Sequence, residues 1–146
     1  AKFGANENNR FQMTKPNSLW GIHVDEMPNF YMMVGPQSLN PVTNVTLLCE
    51  QQAKYIAELI IGMHENGYSC VEPRKDAVME WTNLCNSSSE GKVWLRCNNW
   101  YMKTTKTDAA KDREKGAGMW MDTYEEYLSH VLDGKAGTQR ELLEFS

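Results

Sequence analysis

The chain has 146 residues, of which 41% are hydrophobic and 23% charged, with a formal charge of -4 and a pI near 5.4. That composition suits one folded unit, and the acidic balance argues against a nucleic-acid or acidic-membrane partner. No apolar run approaches the roughly 18 residues of a membrane span, and no signal-peptide pattern opens the chain, so a cytoplasmic protein is the expectation.

Four cysteines (Cys49, Cys70, Cys85, Cys97) are widely spaced without a CxxC pair. Free thiols are therefore expected, and no metal site. No GxGxxG follows a strand and there is no Walker loop, so nothing cradles a dinucleotide pyrophosphate in the usual way. Gly116-Ala117-Gly118 follows the charged run 111–115 and reads as a turn.

Residues 1–15 are polar and Asn-rich and read as a tail. Residues 17–24 are strand-like, with Trp20 expected to pack on the core and His23 on the surface or internally satisfied. The run Phe30-Tyr31-Met32-Met33-Val34 is apolar without alternation, which predicts a strand buried on both faces. Gly35-Pro36 stops it abruptly and predicts a sharp turn.

A helix is predicted from Asn44, with Asn44 or Thr43 as N-cap and Asn66-Gly67 as the stop. Its apolar stripe is Val45, Leu48, Cys49, Ala53, Ile56, Ala57, Ile60 and Met63. Tyr68 and Val71 are expected to cap the core. Residues 74–85 form a second helical pattern with Ala77, Val78, Trp81 and Leu84 on one side, followed by a polar loop over 86–91. Tyr124, Leu128, Val131 and Leu132 make a third stripe, ended by Gly134.

Ligands of open α/β sheets sit beyond the carboxyl ends of the strands, which puts residues 35–45 at the mouth of a site. The N-terminus of the long helix carries about half a positive charge and unpaired donors, suited to an electron-rich group.

Pro28-Asn29-Phe30-Tyr31-Met32, Gly35-Pro36-Gln37-Ser38, Asn44 ahead of the helix, Asn66-Gly67 and Asn99-Trp100-Tyr101-Met102 occur in an order that resembles the C-terminal part of Baeyer–Villiger monooxygenases. Leu142-Leu143-Glu144-Phe145 is similar to that family's closing strand. The resemblance implies an α/β fold: the C-terminal part of a two-dinucleotide-domain flavoprotein, with few short strands, about three helices and a sheet incomplete on its own. It divides the chain into 1–28, linker and short strands; 29–66, last strand, flavin-edge loop and helix of the FAD domain; and 67–146, a helical extension with an NADP-covering loop near 97–112.

It implies FAD and NADP(H) as cofactors and insertion of one oxygen atom from O2 beside a ketone to give an ester or lactone. Gly35, Pro36, Gln37, Ser38, Asn44 and Val45 would line FAD, Trp100 would contact NADP, and Leu39, Asn40, Pro41 and Val42 would shape the ketone pocket. No catalytic residue is expected in this segment, and its partners would be the N-terminal FAD and NADP domains, with no nucleic acid and no membrane. This chain departs from the family pattern at the displaced Pro41, at Val45 where a methionine is usual, and over 103–111. An N- or S-oxygenating flavin monooxygenase is the neighbouring reading. A non-catalytic interaction module, using some of the five Trp and nine Met, is the distant one.

Overall fold

A computed structural model describes residues 17–38, 44–92, 119–132 and 142–146. The predicted segments at 39–43, 93–118 and 133–141 lie outside the described residues, and with them Leu39, Asn40, Pro41, Val42, Trp100, the Gly116 turn and the Gly134 stop. The elements run α1 (Val45–Asn66), β1 (Val71–Pro73), α2 (Lys75–Ser89), α3 (Tyr124–Leu132) and β2 (Leu143–Phe145). The two strands pair antiparallel, with Val71 opposite Phe145 and Pro73 opposite Leu143. Among the described residues, three helices beside so small a sheet are the predicted class, α/β with the sheet incomplete.

Local chemistry explains the limits of α1. Asn44 caps it, its Oδ1 accepting from the amides of Thr46 (3.0 Å) and Leu47 (3.3 Å). Gly67 ends it in the left-handed region at φ 73°, as Asn66-Gly67 predicts. The face it buries overlaps the predicted stripe only in part: Leu48 and Met63 are buried and Cys49 and Ile56 half-buried. Leu48, Gln52, Tyr55, Leu59 and Met63 point inward, while Val45 and Ile60 are 46% and 49% exposed. Ala53 and Ala57 are exposed as well. Tyr55 and Gln52 define the inward face because their polar ends find partners there, so the helix is turned away from its most aliphatic side.

Helix α2 runs into the predicted polar loop and ends at Ser89. The hydroxyls of Ser87, Ser88 and Ser89 each donate to the carbonyl three residues back, at 2.9, 2.9 and 2.7 Å. Bonded this way, the three hydroxyls are satisfied by the helix's own carbonyls.

Residues 30–34 are not the doubly buried strand that their run predicts. Tyr31 makes an isolated bridge to His23, and Phe30, Met33 and Val34 stand 41%, 49% and 36% exposed. Asn29 and Val34 adopt left-handed backbone at φ 57° and 52°. A doubly covered strand needs a neighbour on each side, and the described residues supply only that bridge.

One core joins all the described segments, from Leu19, Trp20 and Ile22 through α1 and α2 to Trp120, α3 and Leu143. Trp81, 2% exposed as predicted for a core residue, stacks on Trp120 with centroids 5.1 Å apart and planes 14° apart. Tyr68 packs on Phe145 at 5.2 Å and Val71 is 1% exposed, so both cap the core as expected.

Trp20 is buried, and His23 is internally satisfied, its Nε2 2.8 Å from the Tyr55 hydroxyl. Burial pushes the His23 imidazole down to about 4. The unfolded chain takes up this proton more readily than the folded one, so stability is complete above pH 6.5 and declines as the pH falls toward 4. The expected loss is on the order of 3 kcal/mol. Urea unfolding of the chain and of His23→Phe across this window checks it: a variant with the same acid slope as the parent would remove His23 as the cause.

Candidate functional site

The predicted site begins at a turn that leans on a tight hairpin. Trp20 and Gly21 both take left-handed backbone, at φ 60° and 71°, so the chain reverses between Leu19 and His23. Gly35 donates its amide to the Gly21 carbonyl at 3.0 Å. A Cβ on Gly35 would stand 2.6 Å from that carbonyl oxygen, and one on Gly21 would stand 2.5 Å from Ser38 Cβ. The two glycines are there because two stretches of backbone touch. The sharp turn predicted at Gly35-Pro36 thus closes on the protein's own chain.

The turn is held from below. Ser18 donates its hydroxyl to the Pro36 carbonyl and its amide to Gln37 Oε1, the latter at 2.7 Å. Gln37 Nε2 donates to Thr82 Oγ1 at 3.0 Å, and Trp81 Nε1 donates to the Gln37 carbonyl at 3.1 Å. Trp120 donates its amide to the Ser38 carbonyl at 2.7 Å, and Gln52 Nε2 donates to Ser38 Oγ at 3.1 Å. Of the predicted site residues, Gln37 and Ser38 are therefore 4% and 2% exposed, with their side chains turned into the core.

Asn44 and Val45 are exposed at the start of α1. The first turn of α1 contains no acidic residue, so nothing of its own neutralises the positive end of the helix dipole. Two of its amides are already shared with Asn44 Oδ1, which leaves the dipole and the apolar Val45 and Leu47 as the outward face.

Sequence reading missed Gln52, Tyr127 and Trp120, which meet beneath the turn. Gln52 is polar on an otherwise apolar face, and only its spacing, four after Leu48 and three before Tyr55, signals burial. Among the described residues no group of three or more His, Cys, Asp or Glu stands ready to hold a metal ion. None of the described helices is long and apolar enough to cross a membrane.

The fold is that of one part of solved monooxygenase structures. It superposes on a cyclohexanone monooxygenase from Rhodococcus sp. Phi1 bound to NADP+ with a TM-score of 0.74 at 22% identity, covering 90% of this chain and 23% of that one. A steroid monooxygenase bound to NADP gives 0.77 at 20% identity over the same shares. No protein-family profile matches the chain.

In sequence the chain is 31% identical over 85 residues to a cyclohexanone 1,2-monooxygenase of Acinetobacter sp., covering 58% of this chain and 15% of that protein. It is 29% identical over 90 residues to a 2-oxo-Δ3-4,5,5-trimethylcyclopentenylacetyl-CoA monooxygenase of Pseudomonas putida, covering 62% and 16%. A protein of Pseudooceanicola batsensis that is 31% identical over 85 residues carries the name Baeyer–Villiger monooxygenase. The resemblance read from the motifs is therefore real, and the chain spans about a sixth of the length of these relatives.

Two glycines with the same backbone sign test the contact between hairpin and turn. Gly21→Ala meets Ser38, whereas Gly67→Ala at φ 73° meets nothing within 4 Å. Gly67→Ala should cost about 1 kcal/mol for its conformation alone, and Gly21→Ala should cost at least about twice that. Equal shifts in the urea midpoint would show that the hairpin and turn yield to each other freely.

Proposed function

We propose that this chain is the C-terminal segment of an FAD- and NADPH-dependent Baeyer–Villiger-type monooxygenase, which inserts one oxygen atom from O2 next to a ketone. The observation that carries the reading is the exposed amino end of α1, capped by Asn44 and free of carboxylates, set after a turn whose polar side chains are spent on the interior. Such an end fits the electron-poor-to-electron-rich change at a flavin's pyrimidine edge. The positive end of its dipole stabilises negative charge developing there, and Val45 and Leu47 offer an apolar surface that excludes water.

In this reading residues 29–66 complete the FAD domain, residues 1–28 lead into it, and 67–146 extend it. Asn44 and Val45 hold the flavin edge, and the turn of Gly35, Pro36, Gln37 and Ser38, tied to α1 through Gln52, lines FAD beside them. Leu39, Asn40, Pro41 and Val42 shape the ketone pocket, and Trp100 contacts NADP(H). FAD, when bound and reduced by NADPH, supplies the oxygen chemistry, and this segment orients and covers it.

The titratable groups under the turn support a role without proton transfer. Burial holds the Tyr127 phenol and the Cys85 thiol up at about 12, raises Tyr55 further, and keeps His23 neutral. The ketone-monooxygenase names of the relatives favour oxygen insertion over N- or S-oxygenation.

An absorbance spectrum of the full-length gene product, followed by NADPH oxidation with and without cyclic ketones, tests this. Yellow protein whose NADPH oxidation rises with ketone is the expected result. Protein that is colourless, takes up no added FAD and leaves NADPH untouched would sink the reading.

A further inference from the structure

Beneath the turn runs a buried line of hydrogen bonds with Gln52 at its centre. Gln52 is 0% exposed, and its carboxamide is divided three ways. Oε1 accepts from the Val34 amide at 2.7 Å, and Nε2 donates both to Ser38 Oγ at 3.1 Å and to the Tyr127 hydroxyl at 2.7 Å. Tyr127, also 0% exposed, donates in turn to the Trp20 carbonyl at 2.6 Å.

These contacts have a common target. Val34 and Ser38 bracket the Gly35-Pro36 turn, and Trp20 lies on the hairpin that Gly35 touches. Val34 is β-branched yet held at φ 52°, a conformation costing on the order of 1–3 kcal/mol that survives only where surroundings over-determine it. The Gln52 acceptor is what fixes its amide. One acceptor and two donors from a single short side chain is the chemistry of a carboxamide, which a carboxylate or an aliphatic group does not reproduce.

We propose that Gln52 and Tyr127 are positioning residues for the flavin edge: together they lock the 34–38 turn against α3 and the Trp20 hairpin, and so hold α1, which carries Gln52, in place against that turn. This rests on the monooxygenase reading. Neither side chain touches cofactor or ketone; both act through the turn. Trp120 and Trp81 reinforce the same lock by binding the Ser38 and Gln37 carbonyls. A small displacement there would carry to the reacting centre, where misplacement of about 1 Å costs on the order of 100-fold in rate.

The test uses the full-length gene product with Gln52→Leu, Tyr127→Phe and the double variant. Melting temperature, FAD bound per chain, the flavin absorbance band, and kcat and KM for NADPH and ketone are measured for each. Both single variants should lose roughly 10- to 100-fold in ketone-dependent kcat per bound flavin and shift the flavin band, with KM for NADPH changed less than about twofold. The double variant should be no worse than the poorer single one, because both break one network.

Variants that melt earlier yet keep the parent's kcat per bound flavin and its spectrum would reduce the pair to core filling and overturn the inference alone. A parent protein that binds no flavin would overturn the monooxygenase reading and this inference with it. Should Gln52→Leu fail to fold, Tyr127→Phe decides, since it removes one oxygen and leaves the ring in place.

Discussion

Taking the carboxamide of Gln52 out of water would cost several kcal/mol if its polar atoms were left unpaired. Instead each has a partner, and the partners come from three separate stretches of chain: Val34 and Ser38 on the turn, Tyr127 on α3 and, through the phenol, Trp20 on the hairpin. The requirement to satisfy one buried amide therefore brings the hairpin, the turn, α1 and α3 to a common point. No buried side-chain nitrogen or oxygen among the described residues lacks a partner. Partly satisfied polar clusters are poor at specifying a structure, and complete ones are good at it.

Around that point the backbone is unusually constrained. Trp20, Val34 and Gln37 carry positive φ without being glycine, and Gly21 and Gly35 sit where no Cβ has room. Residues in such conformations persist where packing and hydrogen bonds leave no alternative. Here the alternatives are removed by Trp81, whose indole is stacked on Trp120 while its N–H grips the Gln37 carbonyl. A turn fixed so tightly behaves as a mount, and α1 is what it mounts.

The outward side of α1 has a different character. Val45, Leu47, Ile60 and Ile61 are all more than a third exposed, on a helix whose other face is already filled by Leu48, Tyr55, Leu59 and Met63. A helix apolar on both sides belongs inside a larger body. That agrees with a chain covering 23% of the monooxygenases it superposes on, and with strands that, among the described residues, are too short and too few to complete a sheet.

Much of the secondary structure was legible because its causes are local. Asn44 caps the amides two and three residues ahead, Gly67 takes a conformation other residues avoid, and the spacing of Ala77, Val78 and Trp81 marks one face of α2. The closing strand at Leu143–Phe145 was expected from its likeness to the monooxygenases' closing segment and not from any local pattern. The motif order that resembles the monooxygenases is likewise a property of the chain alone.

Tertiary structure decided what depends on residues far apart. Whether 30–34 becomes a strand depends on neighbours that the described residues do not provide. Which side of α1 turns inward depends on where Gln52 and Tyr55 find Tyr127 and His23. That the Gln37 and Ser38 side chains point away from solvent follows from Ser18, Thr82 and Gln52, which lie 19, 45 and 14 residues away. Periodicity reports how apolar a face is. A buried polar group is placed by its hydrogen-bond partners, and those are chosen only when the chain has folded.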